Sequence, residues 1–226
     1  MTNFPEIAYL TFVKLKHDFN FAKITKAIVK RLKKHRDPAK RARLVFKEVD
    51  LHLKNQFKDE SVNKLVTCKA GCEACCHTQV SVTKDEADLL SQKIVEGLEI
   101  DLEKLSVQSK VKNSSEEWYK LSYEERGCLF LDGDGYCTVY EDRPAVCRTN
   151  YVVSSAINCN TEDGVSKTVR LLNTHSADMA IVGAFQSSKE NGALPYMLFK
   201  SIDNLLSDDK AEECYPVNKE NIQLLN

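Results

Sequence analysis

Glycine and proline are scarce, with 8 and 5 among 226 residues. A chain of many short strands needs a turn roughly every ten residues, so this shortage excludes an all-β architecture and favours helix. Long apolar runs are missing too. The longest wholly apolar or glycine-containing stretch, Met179 to Phe185, is far shorter than the ~20 residues a helix needs to cross a bilayer. No amino-terminal segment joins a basic flank, an apolar core and a small-residue cleavage site, so the expected location is the cytoplasm, with no membrane association. Cysteine is absent from the first 67 residues. What remains is ordinary for a globular chain: 42% hydrophobic and 29% charged residues exclude wholesale disorder and collagen-like structure.

The net charge of -1 hides an asymmetry, because residues 1–50 carry 13 Lys and Arg against 5 Asp and Glu. A basic amino-terminal arm therefore precedes an acidic body. From Phe12 to Leu32 apolar residues recur at helical spacing, with Phe21, Ile24, Ile28 and Leu32 on one stripe and a break near Asn20. Asp37-Pro38 is a helix start, and Ala42, Val45, Phe46, Val49, Leu53 and Phe57 continue its period. Gln79 to Val82 reads as a short strand. Thr83 and Glu86 have capping-box spacing and open a helix that runs to Gly97. A charged helical connector extends to about residue 125. Two β-prone runs around Asp132-Gly-Asp-Gly135 predict a hairpin, and Pro144 opens a short helix with Cys147. Helices through Ala177–Phe185 and from Leu194 onward follow, and the last dozen residues read as a tail.

The compositional outlier is cysteine, at 9 residues. Cys68, Cys72, Cys75 and Cys76 lie within nine positions around Gly71, too close for all four to pair as disulfides. In a reducing compartment such a group reads as metal ligands, since thiolates are what zinc and iron–sulfur centres take. With the hairpin turn at Asp132 to Gly135, Phe130 faces Cys137, and Cys128 and Cys137 project from one face. Cys147 falls in the first turns of its helix, where backbone amides favour a thiolate. Arg143 and Arg148 flank it, suited to offset the charge of a thiolate site. His77, beside Cys76, is an alternative nitrogen donor, although an ordinary polar role is the commoner one. Asp132 and Asp134 have no glutamate at calcium-loop distance and read as a turn. Cys159 and Cys214, taken singly, read as filler or tail.

Cys68-x3-Cys72-x2-Cys75-Cys76, then Val80 to Thr83 and Glu86, Gly127-Cys128-Leu-Phe-Leu, Tyr136-Cys137-Thr-Val-Tyr140-Glu141 and Arg143-Pro144-x2-Cys147-Arg148 together resemble the YkgJ-type cysteine-cluster (CxxCxxCC) family, described as zinc- or iron-chelating. The resemblance spans roughly residues 65–160. It implies Cys72, Cys75, Cys76, Cys128, Cys137 and Cys147 as shared ligands and aligns Cys68 with the family's first cysteine, although the first gap here is three residues where the family name has two. It adds Cys159, which falls where related sequences often carry a further cysteine. A flagellin lysine methylase has a similar cysteine set and is thought to hold an iron–sulfur cluster, so iron is implied as readily as zinc.

The expected fold is mainly α: a helical bundle with a cysteine-rich metal-binding insert containing a short β-hairpin. Its expected parts are a basic helical region at 1–64, the cysteine-cluster domain at 65–160, and a carboxy-terminal helical region at 161–226 packed with the amino-terminal helices. The expected function is a metal-binding protein holding zinc or iron through Cys68, Cys72, Cys75, Cys76, Cys128, Cys137, Cys147 and Cys159. Two alternatives stand beside it. One is an iron–sulfur-dependent enzyme related to protein lysine methylation. The spacing Cys68-x3-Cys72-x2-Cys75 also occurs in radical S-adenosylmethionine enzymes, but no βα alternation accompanies it here. The other is a zinc module that binds a partner through the basic helices. The partner is a protein or nucleic acid; a solvated helix face is the commoner account of such a basic run, and nucleic acid is the less expected partner because no aromatic residues interleave the charges.

Overall fold

The computed structural model describes residues 6–165 and 167–207. Cys214 and the expected tail lie outside the described residues. The chain is mostly helical, with a small two-stranded antiparallel sheet. Helix α1 covers Glu6–Leu15 and α2 covers Phe21–Leu32. The break between them comes where expected, at a turn in which Asp18 Oδ1 accepts from the Asn20 amide at 2.8 Å. Helix α3, Pro38–Gln56, starts at Asp37, whose carboxylate accepts from the amides of Ala39 at 2.9 Å and Lys40 at 3.3 Å. A short α4, Glu60–Leu65, leads to the cysteine loop.

Strand β1, Ser81–Thr83, runs directly into α5, Lys84–Val95, through the capping box of Thr83 and Glu86. The charged connector holds α6, Leu102–Lys110, and α7, Ser115–Trp118. Then come α8, Ala145–Thr149, and α9, His175–Ser187. Strand β2, Asn191–Ala193, leads into α10, Leu194–Ser207. The sheet pairs Ser81 with Ala193, Val82 with Gly192 and Thr83 with Asn191. Asn-Gly-Ala has no strand propensity of its own, so β2 exists only because β1 offers it a partner.

Two larger apolar clusters organise most of these helices, and a third, of Leu15, Phe21, Met179 and Val182, packs α1 and α2 on α9. Ile28, Leu32, Val45, Phe46, Val49, Leu53, Ala180 and Phe185 join α2, α3 and α9 in the first. Val82, Leu90, Leu105, Leu198 and Ile202 join β1, α5, α6 and α10 in the second. Helix α5 belongs to both, placing Leu89 in the first and Leu90 in the second. The cysteine segment spans the same junction: Leu129, Phe130 and Val139 enter the second cluster, while Ala145 enters the first and Val146 and Tyr151 pack against it.

The hairpin expected over residues 128–140 is a single antiparallel bridge, and its register differs by one residue. Leu131 pairs with Cys137, where the sequence predicted Phe130 opposite Cys137. The cause is the Asp132 side chain, whose Oδ1 accepts from the amides of Asp134 at 3.0 Å and Tyr136 at 2.8 Å and draws Tyr136 into the turn. The one-face argument for Cys128 and Cys137 therefore does not hold.

Gly183 marks a close approach of α9 to α2. A Cβ there would lie 3.2 Å from the Thr25 backbone and from Ile28 Cβ. Alanine gains about 1 kcal/mol of helix propensity, but the overpacking it forces costs about 1–3 kcal/mol. Gly183→Ala is expected to lower the urea midpoint, and Gly183→Val to lower it further.

Candidate metal centre

The start of the cysteine loop is tied to Val152. Thr67 donates its amide to the Val152 carbonyl at 2.9 Å, and the Val152 amide donates to Cys68 Sγ at 3.3 Å. Further along, Gly71 adopts a positive φ of 77°, and it faces Gly135, whose φ is 81°. A Cβ on Gly135 would come within 2.9 Å of the Glu73 carboxylate and 3.4 Å of the Gly71 carbonyl, so glycine at both positions lets the loop seat against the Asp132 turn. Cys75 and Cys76 then lie in a 3₁₀ turn, Ala74–His77.

Cys128 and Cys137 are brought together by a pair of matching turns rather than by pleat. The Leu131 amide donates to the Cys128 carbonyl at 3.0 Å, and the Tyr140 amide donates to the Cys137 carbonyl at 3.2 Å. In each turn the amide two residues on, Phe130 or Val139, donates to the cysteine sulfur. These N–H groups stabilise negative charge on sulfur, as donors around bound thiolates do. Cys147 lies within α8, too short a helix for its dipole to dominate.

Electrostatic coupling divides the thiols into two neighbourhoods. Cys128 feels Cys137 and Cys75, while Cys147 feels Cys128, Cys75 and Cys137. Cys159 feels Cys68, Cys72 and Cys75. Cys75 is common to both. Cys76 donates its thiol hydrogen to Cys75, which holds Cys75 down at about 7 and pushes Cys76 far up; an Asn150 side-chain bond also favours the Cys75 thiolate. Burial raises Cys128 to about 11 and also raises Cys137, where the charges of Arg143 and Arg148 pull the other way.

Cys147 departs from expectation. The sequence placed it among amides that favour a thiolate, yet burial, followed by the neighbouring thiols and Glu86, raises it well above its ordinary value. The residue as a whole stays exposed, and protein around its sulfur makes desolvation the leading cause. All eight cysteines from Cys68 to Cys159 are free thiols.

As the side chains stand, no group of three or more His, Cys, Asp or Glu among the described residues is arranged to hold a metal ion. The donor set nevertheless fits one chemically. Each thiolate here raises its neighbours' proton affinity by repulsion, and a divalent cation among them would turn that repulsion into attraction and displace the protons. Soft sulfur suits zinc or iron better than calcium or magnesium.

Residues 67–168 match the CxxCxxCC family model. Its description reads "Putative zinc- or iron-chelating domain". The CxxCxxCC segment contains all eight candidate cysteines and covers under half of the chain. No curated protein and no solved structure matches the chain.

Polar latches tie this segment to the helices. Glu86, 3% exposed, completes the capping box with Oε2 and accepts from the Ala145 amide at 2.8 Å with Oε1, so it caps α8 as well as α5. Arg148 reaches Asp50 on α3 at 2.7 Å, also bonds the Glu141 and Arg143 carbonyls, and lies 4.4 Å over the Phe46 ring. It therefore acts as a fastener as well as an influence on Cys137. Asp142 takes both nitrogens of the Arg43 fork at 2.9 Å and Lys93 at 3.0 Å. Asp50, Arg43 and the second role of Glu86 gave no signal in the sequence, because their partners lie 59 to 99 positions away and no local pattern encodes such pairs.

The Arg43 bond, assisted by Lys93, holds the Asp142 carboxyl down at about 2 from an ordinary 3.8. A group depressed in the folded state contributes stability above its unfolded pKa and loses it as pH falls through the folded one. Asp142 therefore contributes about 2 kcal/mol at neutral pH that disappears between about pH 4 and pH 2. Asp142→Asn is expected to lower the urea midpoint at pH 6 and to leave the difference from wild type much smaller at pH 2.

Proposed function

We propose that the CxxCxxCC segment holds a zinc or iron centre through thiolates. Cys75, Cys128, Cys137 and Cys147 are its central donors, Cys76 adjoins them, and Cys68, Cys72 and Cys159 form the neighbouring group. The observation that carries this reading is that Cys147 lies within electrostatic reach of Cys75, Cys128 and Cys137, which come from two other stretches of chain, with amides directed at Cys128 and Cys137. The family match supports the choice of zinc or iron.

An ion bound there would neutralise the charge of neighbouring thiolates and would clamp the segment between the two apolar clusters. Folding of the segment and metal binding are then one coupled event. Eight thiols exceed what one tetrahedral ion takes, so the second neighbourhood is available to an additional ion or to a multi-iron cluster. The reading presumes a reducing compartment such as the cytoplasm, where thiols persist. No helix among the described residues is long and apolar enough to cross a membrane.

Elemental analysis and a visible spectrum of protein purified without oxygen test this. At least one zinc or iron per chain is expected. A colourless zinc form and a brown iron–sulfur form are told apart by the spectrum. Cys147→Ser and Cys75→Ser should each lower metal content and Tm together, the latter on the order of 10 °C for a ligand worth a few kcal/mol. Metal-free protein with wild-type stability would sink the proposal, and unchanged metal in either variant would remove that cysteine from the ligand set.

A further inference from the structure

His77 is buried, 6% exposed, with its ring held by Tyr123 and its backbone by Trp118. Nδ1 lies 2.8 Å from the Tyr123 carbonyl, the ring stacks on Tyr123 at 3.8 Å with an 8° interplanar angle, and Trp118 Nε1 donates to the His77 carbonyl at 3.1 Å. A carbonyl only accepts, so Nδ1 carries the hydrogen, and in the neutral ring Nε2 is a bare lone pair. That Nε2 is buried and has no hydrogen-bond partner. An orphaned buried acceptor costs about 1–3 kcal/mol unless something occupies it.

The surroundings say what the occupant is. The ring follows Cys75 and Cys76 in the same 3₁₀ turn. Its Cε1 would be 3.5 Å from a Cβ on Gly127, the residue before Cys128, so the ring edge lies where the early cysteines and the first matching turn meet. Lys104 Nζ lies 3.6 Å from the same point and does not bond Nε2. An imidazole whose Nδ1–H is bound to a backbone carbonyl while Nε2 is left free is the arrangement that orients histidine as a metal ligand.

We propose that His77 Nε2 is a nitrogen donor to the metal centre, which makes its ligation mixed nitrogen and sulfur. This rests on the thiolate-centre reading. Drawing the sulfurs and Nε2 onto one ion closes a donor set that stands apart in the present arrangement. Tyr123 and Trp118 act as positioning residues for the ring.

X-ray absorption at the metal edge of the wild-type, full-length chain loaded with zinc tests this without a substitution. The expected result is one nitrogen at about 2.0–2.1 Å beside sulfurs at about 2.3 Å, with the outer-shell scattering of an imidazole. A sulfur-only shell would overturn the proposal while leaving the thiolate centre standing. A chain that binds no zinc would overturn both. As a second readout, His77→Gln should weaken zinc binding at least about tenfold and shift the visible bands of the cobalt(II)-substituted protein. Unchanged bands in a folded His77→Gln protein would count against it, and if that variant fails to fold, the wild-type absorption data decide.

Discussion

A five-residue helix does not hold itself together in water, because nucleating a helix costs more than one turn returns. Helix α8 is such a helix, and it carries Cys147. Its position depends on groups supplied from elsewhere: the buried Glu86 carboxylate at its first amide, Asp50 pulling on Arg148, and Ala145 packed in the cluster of α3 and α9. Burial raises the Glu86 pKa, against which its bonds from Ala145 and Thr83 favour the charged form. One side chain thus settles the start of α5, the start of α8 and, through α8, where Cys147 sits relative to Cys128 and Cys137.

Burial acts on the thiols in the opposite sense to their hydrogen bonds. Removing a sulfur from water favours the protonated form, and each neighbouring thiolate adds to that effect. The amides of Phe130 and Val139 favour the ionised form. These influences conflict in the absence of a cation and agree in its presence, since a divalent ion replaces the protons and uses the same N–H donors. The tension is local to the junction of the two apolar clusters, which gives the site a rigid floor on both sides.

Basic residues near the amino terminus are partly consumed by the fold. Arg31 pairs with Glu48, Arg41 with Asp85 at 2.8 Å and Arg43 with Asp142 at 2.9 Å. Lys26, Lys30, Lys33 and Lys34 remain exposed, as a solvated helix face does. The charge asymmetry visible in the sequence is therefore in part the mark of long-range ion pairs between the arm and the acidic body.

Apolar spacing at 3.6 residues, the Asp37 and Thr83 caps, the proline at the start of α3 and the cysteine spacing are local properties, and the helices and candidate ligands could be read from them because period and capping act within one or two turns. Strand β2, the register at Asp132 and the proton state of Cys147 could not. Asn191–Ala193 has no intrinsic preference for a strand, a single Asx turn shifts the pairing by one residue, and the acidity of a thiol follows from how much protein surrounds it. The sequence by itself determined which side chains are able to bind a metal. Tertiary structure alone decided which of them are neighbours, because that depends on Glu86, Arg148 and Asp142 finding partners far along the chain, and on burial that no local pattern records.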